Sequence, residues 1–409
     1  MHIVFATTSC SKSMYQSIFE MRNKKILDPA QKFFEQLISG VAQVGESVSV
    51  SAISIRPVSA STCKKKWFSK SEEIVERVKY VYPFFVNGKM LRFLTTYIST
   101  FFSTLRELNK HKGEDRVLIC DPLQPHCSAP ARLAAKIAGV KTIAVVTDLP
   151  RYATSMKTGT KLTIKRRLQN LYEGWSEKET RKYDGYIFLT EAMNDEINKK
   201  NAPVLIVEGS IDANIVISFN GEKKEKRTVV YAGGVYEKYG VKKLVESFLL
   251  ADLPDVELHI YGEGAYVEEL MEVSEKNANI VYKGCVLNTE LPLIESQATL
   301  LVNPRSTDED YTKFSFPSKT LEYLSSGTPV LSTRLLGIPS EYDDYLYWFN
   351  DESVEGMSET LVKILGKSEE ELVSFGIRAK DFVFSSKSNV VQGKRIVNFV
   401  DSIIKGEMF

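Results

Sequence analysis

Apolar runs of four to six residues recur along the chain, separated by longer stretches in which apolar positions return every three or four residues. That is the pattern of short buried strands alternating with amphipathic helices. In the first half, 2–6, 48–53, 117–120, 142–146 and 186–189 read as strands and 204–207 closes the set, with helical periodicity over 29–44 and 129–138. The second half restarts the pattern with strands at 228–232, 257–261, 280–282, 299–302, 329–332 and 346–348. Such alternation calls for parallel sheets covered by helices on both faces. The expected fold is therefore α/β, with two doubly wound Rossmann-like domains facing each other across a cleft. Open sheets of this kind bind ligands at the carboxyl ends of their strands, so the cleft is where a site is expected.

A chain of 409 residues exceeds what one hydrophobic core usually serves, which also favours two domains. Asn220-Gly221 is a turn signal, and the charged run at 222–227 has nothing apolar to bury, so the hinge is placed near residue 220. The predicted domains are 1–220 and 221–384, with a C-terminal helix in 385–409 packing back toward the first. Fifty-three basic against fifty-two acidic residues leave a charge of +1, too little for a global field that gathers nucleic acid. Five scattered cysteines suit free thiols in a reducing cytosol rather than a disulfide or zinc framework. The stretch 1–8 reads as a first strand, not a signal peptide. The aromatic region 78–105 is broken by Pro83, Asn87-Gly88, Lys89 and Arg92, so no segment spans a bilayer. A cytoplasmic protein is expected.

Two segments carry candidate chemistry. In Tyr231-Ala232-Gly233-Gly234-Val235-Tyr236-Glu237-Lys238-Tyr239-Gly240, glycines after a strand let backbone N–H groups approach a phosphate, although any strand-to-helix turn favours glycine. Tyr261-Gly262-Glu263-Gly264 repeats the theme one strand later. The second segment joins Asn303-Pro304-Arg305 to a helix opening at Pro317, capped by Ser315 or Phe316 and ending at Gly327. Glu322 lies four residues after Ser318 and three after Lys319, so the three share neighbouring parts of one face. Cations, a helix N-terminus and a carboxylate suit a nucleoside diphosphate sugar, the carboxylate accepting from a ribose. The alternative is a surface helix with an ordinary Lys/Glu pair.

The two-sheet plan, the Gly-Gly turn and the segment Pro317 to Val330 resemble retaining glycosyltransferases of the GT-B fold, in the large family-four group that builds bacterial polysaccharides and glycolipids. The likeness is best over 228–348, with weaker echoes at 29–33 and 183–190. It implies donor contacts from Gly233, Gly234, Lys238, Arg305, Ser315, Phe316, Ser318, Lys319, Leu321 and Glu322. The family's Glu-x7-Glu pattern keeps its second Glu as Glu322, but its first falls on Phe314. The usual Arg and Lys of the glycine turn are Gly234 and Tyr239 here, which leaves Arg305, Lys319 and Lys238 to supply positive charge.

In the first half, Asp148 and His126 follow strands at positions that aim side chains into the cleft, and either could orient an acceptor or a donor hydroxyl. Asp148 could equally cap the turn before Pro150. The catalytic set is thus Asp148, His126, Arg305 and Lys319, with no metal and no cofactor beyond the donor substrate. Arg151 to Arg167 holds six basic and no acidic residues, and Lys64-Lys65-Lys66-Trp67-Phe68 pairs charge with aromatics. Either could rest on anionic lipid at the inner membrane surface, or be merely solvated. The expected activity is transfer of a hexosyl group from a nucleoside diphosphate sugar, a UDP-sugar, to a glycan or lipid-linked acceptor with retention. The rivals are a nucleotide-sugar epimerase of the same fold and a catalytically silent nucleotide-sugar-binding subunit.

Overall fold

The computed structural model describes residues 1–23, 29–88, 91–153, 164–214, 226–287 and 289–407. The chain opens β1 (His2–Thr7), α1 (Lys12–Met21), α2 (Pro29–Ala42), β2 (Ser49–Ser54), β3 (Trp67–Phe68), β4 (Ser71–Val75), β5 (Val78–Tyr82) and β6 (Phe85–Val86). Next come α3 (Leu91–Lys110), β7 (Arg116–Cys120), α4 (Pro125–Ile137), β8 (Lys141–Val146), α5 (Pro150–Ala153), α6 (Ile164–Thr180), β9 (Gly185–Phe188), α7 (Glu191–Ile197) and β10 (Val204–Ile206). The pattern restarts with β11 (Arg227–Ala232), α8 (Val241–Ala251), β12 (Val256–Tyr261), α9 (Val267–Lys276), β13 (Ile280–Gly284), α10 (Leu291–Ser296) and β14 (Leu300–Asn303). It ends with α11 (Lys319–Ser326), β15 (Val330–Thr333), β16 (Tyr347–Phe349), α12 (Val354–Leu365), α13 (Glu369–Lys387) and α14 (Asn389–Lys405).

Two compact units result, residues 1–212 together with 388–409, and residues 213–387. The expected boundary turn Asn220-Gly221 and the run from Glu222 to Glu225 lie outside the described residues. The chain leaves the first unit beside the point where it returns, since Ile211 and Ser388 form an isolated parallel bridge and Asn389 N donates to Ile211 O at 2.7 Å.

The first unit holds an eight-stranded sheet in the order β10-β9-β8-β7-β1-β2-β5-β4, parallel except for β4 against β5. Every strand expected in this half is present. The β4 edge strand and the small β3–β6 pair are additional, and they escape a search for apolar runs because β4 reads Ser-Glu-Glu-Ile-Val and is largely exposed.

The two faces of this sheet are packed differently. On one, Phe34, Leu37 and Ile38 of α2 and Ile396, Phe399 and Ile403 of α14 close over Ile3, Phe5, Val117 and Ile143 in one large apolar core. Each fully buried side chain of that size contributes about 1.5–3 kcal/mol. The other face carries α3, α4 and α6, with α4 touching both neighbours. There the buried positions are small or polar, among them Thr96, Thr100 and Thr104 of α3 and Ser128, Ala131 and Ala135 of α4. Charged groups are buried in pairs: Arg132 Nε donates to Glu179 Oε1 at 2.6 Å. Glu107 accepts from Ser51, Lys79 and Lys110; burial acts to raise its carboxyl, but the bonds and charges of Lys79 and Lys110 prevail and lower it.

The second unit is a six-stranded, wholly parallel sheet ordered β13-β12-β11-β14-β15-β16. Its core joins Val229, Leu258, Ile260, Leu300 and Val302 of the strands to Val241, Leu244 and Phe248 of α8 and Met357 and Leu361 of α12. Among the described residues no helix is long and apolar enough to cross a membrane.

Candidate donor site

In a doubly wound sheet the ligand crevice opens where the strand order reverses. In the second unit the chain steps from β11 outward through β12 and β13, then returns to the other side of β11 with β14. The turns after β11 and β14 therefore flank the reversal, and these are the Gly233-Gly234 and Pro304-Arg305 segments. The turn after β12 closes on them. Gly262 adopts φ +127°, and a Cβ there would lie 1.8 Å from Gly233 O. Gly240 caps the start of α8 in the left-handed region (φ +77°), with Pro304 O where its Cβ would be. Both positions demand glycine because the backbones of neighbouring turns pass through the space a side chain would fill.

α11 is tied to the same spot. Tyr323 Oη accepts from Ala232 N at 2.8 Å and donates to Ala232 O at 3.1 Å, fixing the helix against the last residue of β11. Lys319 lies a turn earlier, its Cε 3.3 Å from where a Cβ on Gly233 would stand. Tyr231 Oη donates to Gly234 O at 2.8 Å. Burial raises the Tyr231 phenol well above its ordinary range, against the opposing charge of the nearby Arg305. The Arg305 guanidinium lies 4.9 Å over the Tyr239 ring, and the Lys238 ammonium 5.2 Å from that ring and 5.8 Å from Tyr236. Among the described residues no carboxylate pairs with Arg305, Lys319 or Lys238. The loop bearing Arg305 is anchored where Thr307 N and Ser306 Oγ donate to Glu352 and Thr333 Oγ1 donates to Arg305 O.

The structure thus brings Gly233, Gly234, Arg305 and Lys319 together, with Lys238 exposed at the rim and Glu322 half-buried on α11. It corrects the helix start. α11 begins at Lys319 with Ser318 as its cap, and Pro317 lies outside it. The first turn tightens through Thr320 N to Pro317 O at 2.8 Å, while Ser315 is extended at the end of a short 3-10 turn. The side chains of Phe316 and Leu321 are buried, Phe316 against Tyr342, so neither presents its side chain to a ligand. Phe314 is buried too, which makes the position of the family's first Glu an apolar one. Gly234 is boxed by Tyr236 and Tyr239, whose ring atoms lie 2.9–3.2 Å from where its Cβ would be, and the family's Arg has no room there. Tyr239 as a platform for Arg305 and Tyr323 as a strut escape a reading of the sequence. The one signal is an aromatic residue beside Lys238 and the left-handed Gly240.

In the first unit, Asp148 follows β8, and its Oδ1 accepts from Leu149 N at 2.8 Å. Burial pushes its carboxyl up to about 6. His126 stands in the first turn of α4, its Nδ1 2.9 Å from Tyr172 Oη and its ring against the edge of Phe93. Burial, then the charge of Arg92, pushes its imidazole down to about 3, so it is neutral at physiological pH. Of the two basic stretches, residues 154–163 lie outside the described residues, and Arg151 pairs with Glu196 at 2.8 Å. Trp67 is exposed but Phe68 is buried.

Residues 226–367 match the family model described as Glycosyl transferases group 1. No curated protein matches the sequence. Among solved structures, sucrose-phosphate synthase from Thermosynechococcus elongatus aligns over 100% of both chains at 11% identity, TM-score 0.63. The lipopolysaccharide outer core galactosyltransferase WaaB aligns over 98% of this chain and 99% of its own at 14% identity, TM-score 0.58. Anabaena HepE in complex with UDP covers 98% and 100% at 11% identity, TM-score 0.58. The architecture is that of the GT-B fold, two Rossmann-like domains in one chain. The match to the group 1 glycosyltransferases covers about a third of the chain and falls on the unit carrying Arg305 and Lys319.

Proposed function

We propose that the second unit binds a nucleoside diphosphate sugar, a UDP-sugar, and that the protein passes its hexosyl group to a glycan or lipid-linked acceptor with retention. The observation that carries this reading is the pair of half-buried cations, Arg305 and Lys319, with no carboxylate partner among the described residues, beside a glycine turn at the reversal of the sheet. A diphosphate leaving a sugar gathers negative charge, and fixed cations and N–H groups stabilise that charge without reorganising. They supply what a divalent metal supplies in other transferases. Glu322, a turn along α11, accepts from the ribose hydroxyls. That HepE was solved with UDP agrees with this choice of nucleotide. Asp148, held near neutrality in its titration, is the group of the first unit best suited to orient an acceptor hydroxyl.

The test is calorimetric titration of the intact chain with UDP and UDP-sugars. Glu322→Gln weakens one or two charge-assisted hydrogen bonds of about 1.5–3 kcal/mol each, a loss of roughly tenfold or more in donor affinity. A folded protein that binds no nucleoside diphosphate refutes the assignment. Phe314, apolar where the family has a sugar-contacting Glu, favours a second reading, a nucleotide-sugar-binding subunit without turnover. Binding without product on any acceptor selects it.

A further inference from the structure

Helix α3 is built inside out. Through its first four turns the residues it buries are Thr96, Thr100 and Thr104, whose hydroxyls lack a hydrogen-bond partner among the described residues, and only near its end do Glu107 and Leu108 join them. The residues it turns outward include Leu94, Ile98 and Phe102, the last 62% exposed. An amphipathic helix in a soluble domain does the reverse, because burying apolar area is what holds it on the sheet. The neighbouring helices extend the apolar surface: Ile137 of α4 and Leu168 and Leu171 of α6 are also exposed, Leu171 at 70%. α4 packs against both α3 and α6, so the residues belong to one helical layer. A patch of this kind on a soluble domain marks a binding surface.

Its charge says what covers it. α3 carries no acidic residue before Glu107, α4 carries none, and α6 none before Glu173. Arg106, Lys136 and Arg167 are exposed on the three helices. A second copy of the chain docked face to face would set these cations against their own equivalents. An anionic bilayer offers opposite charge at the headgroups and an apolar layer beneath, and the combination of exposed Leu, Ile and Phe with basic residues matches both.

We propose that the outer face of α3, α4 and α6 is a membrane-docking surface that inserts Leu94, Ile98, Phe102, Ile137, Leu168 and Leu171 among the headgroups of an anionic bilayer. The proposal does not depend on which donor the second unit takes. It is tested by co-sedimentation of the full chain with vesicles of phosphatidylcholine alone and of phosphatidylcholine with phosphatidylglycerol. The expected result is association with the mixed vesicles, weakened by added salt and reduced about tenfold or more by Phe102→Glu. A parallel variant, Arg106→Glu with Arg167→Glu, loses association with the mixed vesicles alone. Each residue is exposed, so circular dichroism and thermal melting stay near those of the parent. The proposal is overturned if the parent ignores mixed vesicles or if Phe102→Glu binds them equally. It is also overturned if light scattering shows a dimer that Phe102→Glu dissolves while vesicles are left untouched, which assigns the face to a second copy.

Discussion

The two sheets reverse their strand order at equivalent places, β1 between β2 and β7 in the first unit and β11 between β12 and β14 in the second, yet the turns there are built oppositely. After β1 the crevice is sealed from within. Gln31 holds Cys10 at both ends, its Oε1 accepting from Cys10 N at 2.8 Å and its Nε2 donating to Cys10 O at 2.7 Å. Ser11 N donates to Tyr82 Oη at 3.2 Å, and Ser9, Cys10 and Ser11 are all buried. After β11 the chain offers half-exposed glycines and cations without carboxylate partners among the described residues. Topology sets where a ligand can enter, but it is the state of the backbone N–H groups and nearby charges that makes one reversal a candidate binding site and the other a plug.

The sharpest way to break this contrast is to remove the cations. Arg305→Ala and Lys319→Ala are each expected to lower turnover about 100- to 1000-fold while changing affinity for the neutral nucleoside little, as measured by steady-state kinetics and titration. Near-parental turnover in both moves the anion site elsewhere, with Lys238 next to test. At the sealed reversal, Gln31→Leu removes the bonds it makes to the N–H and C=O of Cys10, at about 1–3 kcal/mol each. Chemical denaturation should register that loss with donor affinity unchanged. A fall in donor affinity instead places a ligand at the first reversal as well.

A smaller effect concerns the acid that follows β8. The folded-state pKa of Asp148 lies above its unfolded value, so the folded chain keeps a proton that the unfolded chain gives up between about pH 4 and 6. Stability from this group is therefore present at acid pH and lost as pH rises toward 6. Asp148→Asn should gain up to about 2 kcal/mol at pH 7 and nothing near pH 3, read by melting across that range. If Asp148 orients the acceptor, the parent loses activity below about pH 6, and an unaltered acid limb in the variant removes it from that role. The smallest effect is Tyr239→Leu, which withdraws the ring under Arg305 and should weaken diphosphate binding by about 0.5–2 kcal/mol. An unchanged affinity shows that the ring does not position the guanidinium.

The parallel strands were legible because those buried on both faces must be continuous apolar runs, as in Val229-Val230-Tyr231 and Ile143-Ala144-Val145. β4 was not, because an edge strand facing solvent carries Glu72 and Glu73, nor was the inverted packing of α3, whose threonines give no apolar stripe. At the candidate donor site, contiguous segments gave up the glycine turn, Arg305 and Lys319. The start of α11 was misplaced because proline suits a first helical turn generally, whereas here Pro317 precedes it and supplies only a carbonyl to Thr320. Tyr323 and Tyr239 act through partners distant in sequence, Ala232 and Arg305, and a local motif does not reveal such pairings.

The return of α14 to the first unit has a consequence during synthesis. Ile396, Phe399, Val400 and Ile403 belong to the same core as Ile3, Phe5 and Phe34, yet they are made only after residues 213–387. At about 5–20 residues per second, the ribosome takes roughly ten to forty seconds to translate residues 213–387, and throughout that interval the first sheet is waiting for α14. The N-terminal half then emerges with an apolar trough open to the cell. A stop codon or proteolytic nick just before Ser388 would leave that trough permanently uncovered, although the candidate donor residues were already complete.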